Sequence, residues 1–168
     1  MTIKIRPMLP KDRPELIKIL RNASEFKASE VVVAEEVIDS HLHDPNGSGY
    51  YVLIAEVASS VAGYICYGPT PLTDGTWDIY WQAVAQGKRG QGIGGVLTKA
   101  AEKEIRKARG RLAIIETSST QAYEKTLHFH IGQGYEMIAR IPDFYSLGDD
   151  KLILQKRLSY PDGRKEKS

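Results

Sequence analysis

Arg89-Gly90-Gln91-Gly92-Ile93-Gly94-Gly95 is the stretch on which the reading of this chain turns. It follows an apolar-aromatic run, Trp77-Asp78-Ile79-Tyr80-Trp81-Gln82-Ala83-Val84, and precedes a patterned helix predicted from Val96 to Arg109. A strand, a short basic glycine-rich loop and a helix N-terminus together make an anion cradle. Glycine lets the backbone approach a ligand closely, the first N–H groups of the helix lack partners, and the helix dipole favours negative charge. The guest that suits such a cradle is a pyrophosphate.

Two kinds of loop answer that description. Gly90, Gly92 and Gly95 satisfy G-x-G-x-x-G, and Glu116 closes the next apolar run, Leu112-Ala113-Ile114-Ile115, about 20 residues further on. That is the pattern of a dinucleotide-binding fingerprint. Against it, Ala85-Gln86-Gly87-Lys88-Arg89 separate the strand from the first glycine, and the chain beyond Glu116 is too short for a second mononucleotide half.

The second reading starts at Val84, from which the chain runs V-x-x-x-x-R-x-x-G-x-G through Arg89, Gly92 and Gly94. This resembles the coenzyme A loop of the GNAT superfamily of acyl-CoA N-acyltransferases, whose signature is Q/R-x-x-G-x-G/A. Gln86 stands where family members commonly have proline. Phe129-His130 followed by Gly134-Tyr135 is similar to the family's F-Y-x-x-x-G-F/Y segment, and Lys151 to Leu158 to its last strand. The resemblance covers roughly residues 50 to 158.

Composition is compatible with one domain over residues 1–158 and a polar tail over 159–168, expected to be disordered. A net charge of +2 with scattered basic residues does not suggest a nucleic-acid surface. Cys66, the sole cysteine, rules out an internal disulfide and suits a reducing cytoplasm. No apolar run approaches the ~20 residues of a membrane span, and no signal peptide is evident.

The pattern predicts an alternating order. Strands are expected at Ile3 to Met8, Tyr51 to Val57, Val61 to Tyr67, Trp77 to Val84, Leu112 to Glu116, Met137 to Ile141 and Leu152 to Lys156. Helices are expected at Pro10 to Asn22, Ala34 to His43, Val96 to Arg109 and Gln121 to Ile131. Ile93, Leu97, Ala101, Ile105 and Ala108 share one helical face. The fold class is mixed α/β (α+β), and the resemblance implies a single-domain GNAT fold, its central sheet of about six to seven strands carrying helices on both faces.

The resemblance implies acetyl transfer from acetyl-CoA to a primary amine of a small molecule or peptide, with no metal. An amine of pKa ~10.4 is an ammonium at neutral pH, so some group must take its proton. Asp78, the only carboxylate on its strand, is the first candidate base; Glu116 is the second. By resemblance, backbone groups of Ala83, Val84 and Ala85 hold the pantetheine arm, and the Val84 N–H serves the oxyanion. Arg89, Gly90, Gln91, Gly92, Ile93, Gly94 and Gly95 hold the diphosphate. The family often places a tyrosine acid where this chain has His130. His130 and Tyr145, the latter in a loop before the last strand, are level candidates for the acid, and His130 is equally a candidate cofactor-packing residue with no proton role. Tyr123, seven residues before His130, is expected on the same helical face as a coenzyme contact. The protein is expected to be a monomer or homodimer. The rival reading is an acyl-CoA-binding or regulatory module without turnover.

Overall fold

The computed structural model describes residues 1–159, so all but the first residue of the 159–168 tail lies outside the described residues. The described chain holds seven strands and four α-helices and groups into two compact units. One contains Met1–Gly68 and Ile79–Ala101; the other contains Pro69–Asp78 and the described residues from Glu102 on.

In the first unit, β1 (Ile3–Pro7), β2 (Tyr51–Val57), β3 (Ser60–Pro69) and the outer part of β4 (Thr76–Val84) are neighbours in that order. Ile3 lies opposite Val57 and Tyr51 opposite Tyr67, both pairings antiparallel. Ala58 and Ser59 turn β2 into β3 with φ of 48° and 63°, the left-handed pair that a two-residue hairpin demands. Helices α1 (Arg13–Asn22) and α2 (Ala28–His43) supply Leu16, Leu20, Val31, Ala34 and Ile38 to a core shared with Val52, Ile54, Tyr64 and Cys66. Each fully buried Leu or Ile there contributes about 1.5–3 kcal/mol relative to exposure. Helix α2 starts six residues before the predicted Ala34. Glu30 accepts the Lys27 N–H at 2.9 Å and so caps a helix whose Val31-Val32-Val33 run argues against helix by propensity alone.

Asp12, expected to open a helix, also binds across the unit. It takes both Arg6 Nη atoms at 2.7 and 2.9 Å and the Leu9 N–H at 2.8 Å, with its side chain 3% exposed. The Arg6 guanidinium holds its carboxyl below the ordinary carboxylate value. Asp12→Ala is therefore expected to cost about 1–3 kcal/mol: it removes the two-pronged Arg6 contact and strips the Leu9 N–H of its acceptor, while Arg6 keeps Glu56 Oε2 at 2.9 Å. A depressed carboxyl pKa stabilises the fold above the unfolded value and stops doing so as pH falls through the folded one. Urea melts at neutral and at strongly acidic pH check this: the wild-type advantage over Asp12→Ala should shrink in acid.

In the second unit, β5 (Leu112–Ser118) pairs antiparallel with β7 (Asp149–Arg157), which pairs antiparallel with β6 (Glu136–Ser146) at the edge. Helix α3 (Ile93–Lys107), which belongs to the first unit as far as Ala101, starts three residues before the predicted Val96 and buries Ile93, Leu97, Ala101 and Ile105 as the periodicity requires. Ala108 falls past its end and is exposed. The segment expected as one helix from Gln121 is a 3-10 turn at Gln121–Tyr123 followed by α4 (Glu124–Gly132). Strand β6 runs to Ser146, beyond the predicted Ile141, through Pro142. An edge strand tolerates proline because one side needs no ladder N–H, and the register slips between Ile141 and Ser146. Tyr145 is thus a strand residue, not the loop residue expected from Pro142.

Candidate functional site

The glycine loop is built on local geometry. Past Val84 a 3-10 turn at Gln86–Lys88 spaces the strand from the loop, filling the gap that argued against a dinucleotide fingerprint. Gly90 and Gly92 have φ of 77° and 81°, left-handed values that other residues adopt only with strain. A Cβ at either would meet nothing within 4 Å, so conformation and not protein packing requires glycine there. Val96 N–H bonds to Gly92 O at 3.2 Å as α3 begins. The N–H groups of Ile93, Gly94 and Gly95 precede that first helical bond and have no acceptor within the helix, as in any first turn.

Two residues that the sequence did not single out hold this turn in place. Gln82 reaches from β4 to donate Nε2–H to Gly94 O at 2.8 Å, and its Oε1 accepts the Thr98 hydroxyl at 3.2 Å. Thr98 also donates to Gly94 O at 3.0 Å. A glutamine alternating with Asp78 and Tyr80 along a strand was the available signal. Gly63 on β3 permits a further close approach: a Cβ there would sit 2.7 Å from Ala83 O and 3.3 Å from Val84 Cα.

The backbone expected to receive the pantetheine arm is partly engaged. Ala85 N–H donates to Ala62 O at 2.8 Å, and Val84 O accepts Arg89 Nε–H at 3.3 Å. Arg89 does not project alone into solvent. Its Nη2 lies 3.0 and 3.3 Å from the two carboxylate oxygens of Glu25, in the turn between α1 and α2.

In the second unit, Asp78 is half-buried and accepts the Thr70 hydroxyl at 2.6 Å. Glu116 is exposed and ion-paired with Lys151 Nζ at 2.8 Å. The strand alternation holds: Trp77 is buried on the face opposite Asp78. Asp149 accepts from the Ser118 hydroxyl, and Asp150 accepts the Asp143 N–H and Arg140 Nε–H. These carboxylates engage the chain's own donors, so they do not stand as an unpaired acidic cluster. His41 of α2 is buried and places Nδ1 2.7 Å from Tyr50 O.

His130 sits near the end of α4, 5% exposed, with ring contacts to Phe129 and Tyr135. Its Nδ1 is buried without a hydrogen-bond partner among the described residues. Below it, Lys156 Nζ–H donates to Gln133 O at 2.8 Å and to both oxygens of buried Glu102 at 3.0 Å, anchoring the helix end to β7. Tyr135 O–H donates to Glu102 as well, and burial pushes its phenol pKa up. Tyr123 lies in the 3-10 turn, so the seven-residue spacing to His130 does not give the shared helical face expected of it; α4 begins only at Glu124. Tyr145 is about half exposed on β6, in edge contact with Phe144.

Burial lowers the His130 pKa from 6.5 to about 4. The imidazole is therefore neutral at pH 7. Between these two values the unfolded chain binds the extra proton and the folded chain does not, so stability falls as pH drops through that window. The expected loss is up to about 3 kcal/mol. His130→Phe, which keeps a buried ring without the titration, should flatten the decline in denaturation midpoint from pH 6.5 to 4. An undiminished slope would contradict it.

The acetyltransferase (GNAT) family model matches residues 14–134. A GNAT-family protein of Desulfovibrio desulfuricans is 34% identical, with a TM-score of 0.90 over 94% of this chain and 100% of that one. Two more distant structures share the fold. An aminoglycoside 6′-N-acetyltransferase complexed with coenzyme A is 20% identical, with a TM-score of 0.73 over 96% of this chain and 100% of that one. The ribosomal-protein-S18-alanine N-acetyltransferase from Escherichia coli is 15% identical, with a TM-score of 0.75 over 98% and 99%. No curated protein matches the sequence. Among the described residues, no helix is long and apolar enough to cross a membrane.

Proposed function

Because the chain belongs to the GNAT family of acetyltransferases and is an acyltransferase, we propose that it moves the acetyl group of acetyl-CoA to a primary amine. The acceptor belongs to a small molecule or peptide and attacks directly in a ternary complex. Residues 1–158 carry the activity as one domain, in the cytoplasm.

The observation that carries this reading is the loop from Arg89 to Gly95. Two left-handed glycines, a helix N-terminus and a guanidinium converge in sequence on one short turn, which suits a diphosphate. The acyl arm then lies along Ala83 to Ala85, and the Val84 N–H serves the developing oxyanion. Asp78 takes the ammonium proton, directly or through water, with Thr70 orienting the carboxylate. Glu116 is the second choice, since Lys151 already compensates its charge. Amine nitrogen attacks the thioester carbon, the tetrahedral adduct expels sulfur as thiolate, and a proton donor quenches it. Tyr145 is favoured as that donor. A histidine with pKa near 4 is almost wholly unprotonated at neutral pH, so His130 contributes a hydrogen bond to sulfur and not a readily available proton. The coenzyme A and the amine acceptors named for the more distant structures agree with this reading.

The second reading, an acyl-CoA-binding module without turnover, is favoured by the same neutral His130. Thiol release from acetyl-CoA across a panel of amines and N-terminal peptides separates the two. Turnover with any acceptor supports transfer; coenzyme binding with no turnover supports the module. Failure to bind coenzyme A discards both.

A further inference from the structure

Arg89 is the cation of the glycine loop, and an anion of the chain itself already holds it. Glu25 is 64 positions away in sequence, so the contact is tertiary, and Nη2 lies within ion-pair range of both its carboxylate oxygens. The carboxylate is the more enclosed partner, its side chain 16% exposed against 41% for the guanidinium. Its neighbour Phe26 packs edge-on against Trp81 of β4, ring centroids 5.5 Å apart. Phe26 N–H in turn bonds to Ala23 O at 3.2 Å, closing the turn between α1 and α2. One short segment thus touches both the strand and the loop that the coenzyme reading uses.

We propose that Glu25 occupies the anion position on Arg89 which the coenzyme's diphosphate takes over, so that donor binding exchanges one anion for another and releases the α1–α2 turn. The inference rests on the coenzyme reading above. A partly exposed ion pair adds little to fold stability, because water solvates both charges well. It does set the affinity of a competing anion. A diphosphate must draw the guanidinium from Glu25, and the carboxylate is then an enclosed like charge beside the guest. Repulsion moves Glu25 outward and loosens Phe26 on Trp81. Glu25 is a positioning residue: it acts on the coenzyme only through Arg89.

The test uses the full chain and isothermal titration at low salt with coenzyme A and with pantetheine, which lacks the diphosphate. Glu25→Gln should tighten coenzyme A about two- to fivefold, the scale of one partly exposed ion pair, and leave pantetheine unchanged. In an Arg89→Gln background the Glu25→Gln effect should vanish. Hydrogen exchange adds a readout that a merely structural contact would not move: amides of residues 23–27 should exchange faster in wild type once coenzyme A binds. Weaker or unaltered coenzyme A binding in Glu25→Gln overturns the exchange, as does slower or unchanged amide exchange. Either result in a wild type that binds coenzyme A leaves the coenzyme reading standing; a wild type that does not bind it removes both.

Discussion

Gly92→Val is expected to weaken coenzyme A binding at least about 100-fold while the chain still folds. At φ of 81° a β-branched residue sits in a backbone region it almost never adopts, a strain on the order of 1–3 kcal/mol. No protein atom lies within 4 Å of the added Cβ, so the new side chain collides with nothing in the fold. It fills the space over the first turn of α3, where the proposed diphosphate would sit. Strain and obstruction act together on the ligand, whereas only strain acts on stability. Calorimetric titration with coenzyme A beside a thermal melt distinguishes the two. An unchanged dissociation constant would show that the diphosphate binds elsewhere. Gly63→Ala should behave in the opposite way, because its Cβ meets the Ala83 carbonyl and would disturb β3 and β4 before it touched any ligand.

Asp78→Asn is expected to lower kcat about 10²- to 10⁴-fold, the usual contribution of a general base, with coenzyme A affinity unchanged. Asparagine keeps an oxygen that accepts the Thr70 hydroxyl, so the change removes basicity more than structure. The loss should shrink as pH rises toward the pKa of the acceptor amine, where the nucleophile is already neutral. Glu116→Gln is the control. Its carboxylate is exposed and paired with Lys151, and a smaller effect is expected. Steady-state kinetics with a saturating acceptor decide the matter: full kcat in Asp78→Asn, at every pH, would remove it from the mechanism.

Residues Arg89 to Gly95 were legible because their conformational demand is local: glycine at a left-handed position and a helix start need no distant partner to be recognised. The same holds for Ile93, Leu97, Ala101 and Ile105, whose spacing alone predicts the buried face of α3. Local pattern misled where long-range contacts overrule it. The Val31-Val32-Val33 run concealed the start of α2, which a Glu30 cap and burial of Val31 secure. Pro142 signals a loop, yet β6 continues through it because an edge strand leaves one side unpaired.

Sequence by itself determined the family resemblance, the mixed α/β class, the glycine turn that opens α3 and the candidate groups for proton transfer. These depend on residue type and on short spacings that backbone geometry reads directly. Only tertiary structure decided the charge state and company of those groups. Burial makes His130 neutral, Lys151 compensates Glu116, a 3-10 turn takes Tyr123 off its helix, and Glu25 claims Arg89. Desolvation and ion pairing arise from atoms brought together across many positions, and no spacing along the chain encodes them.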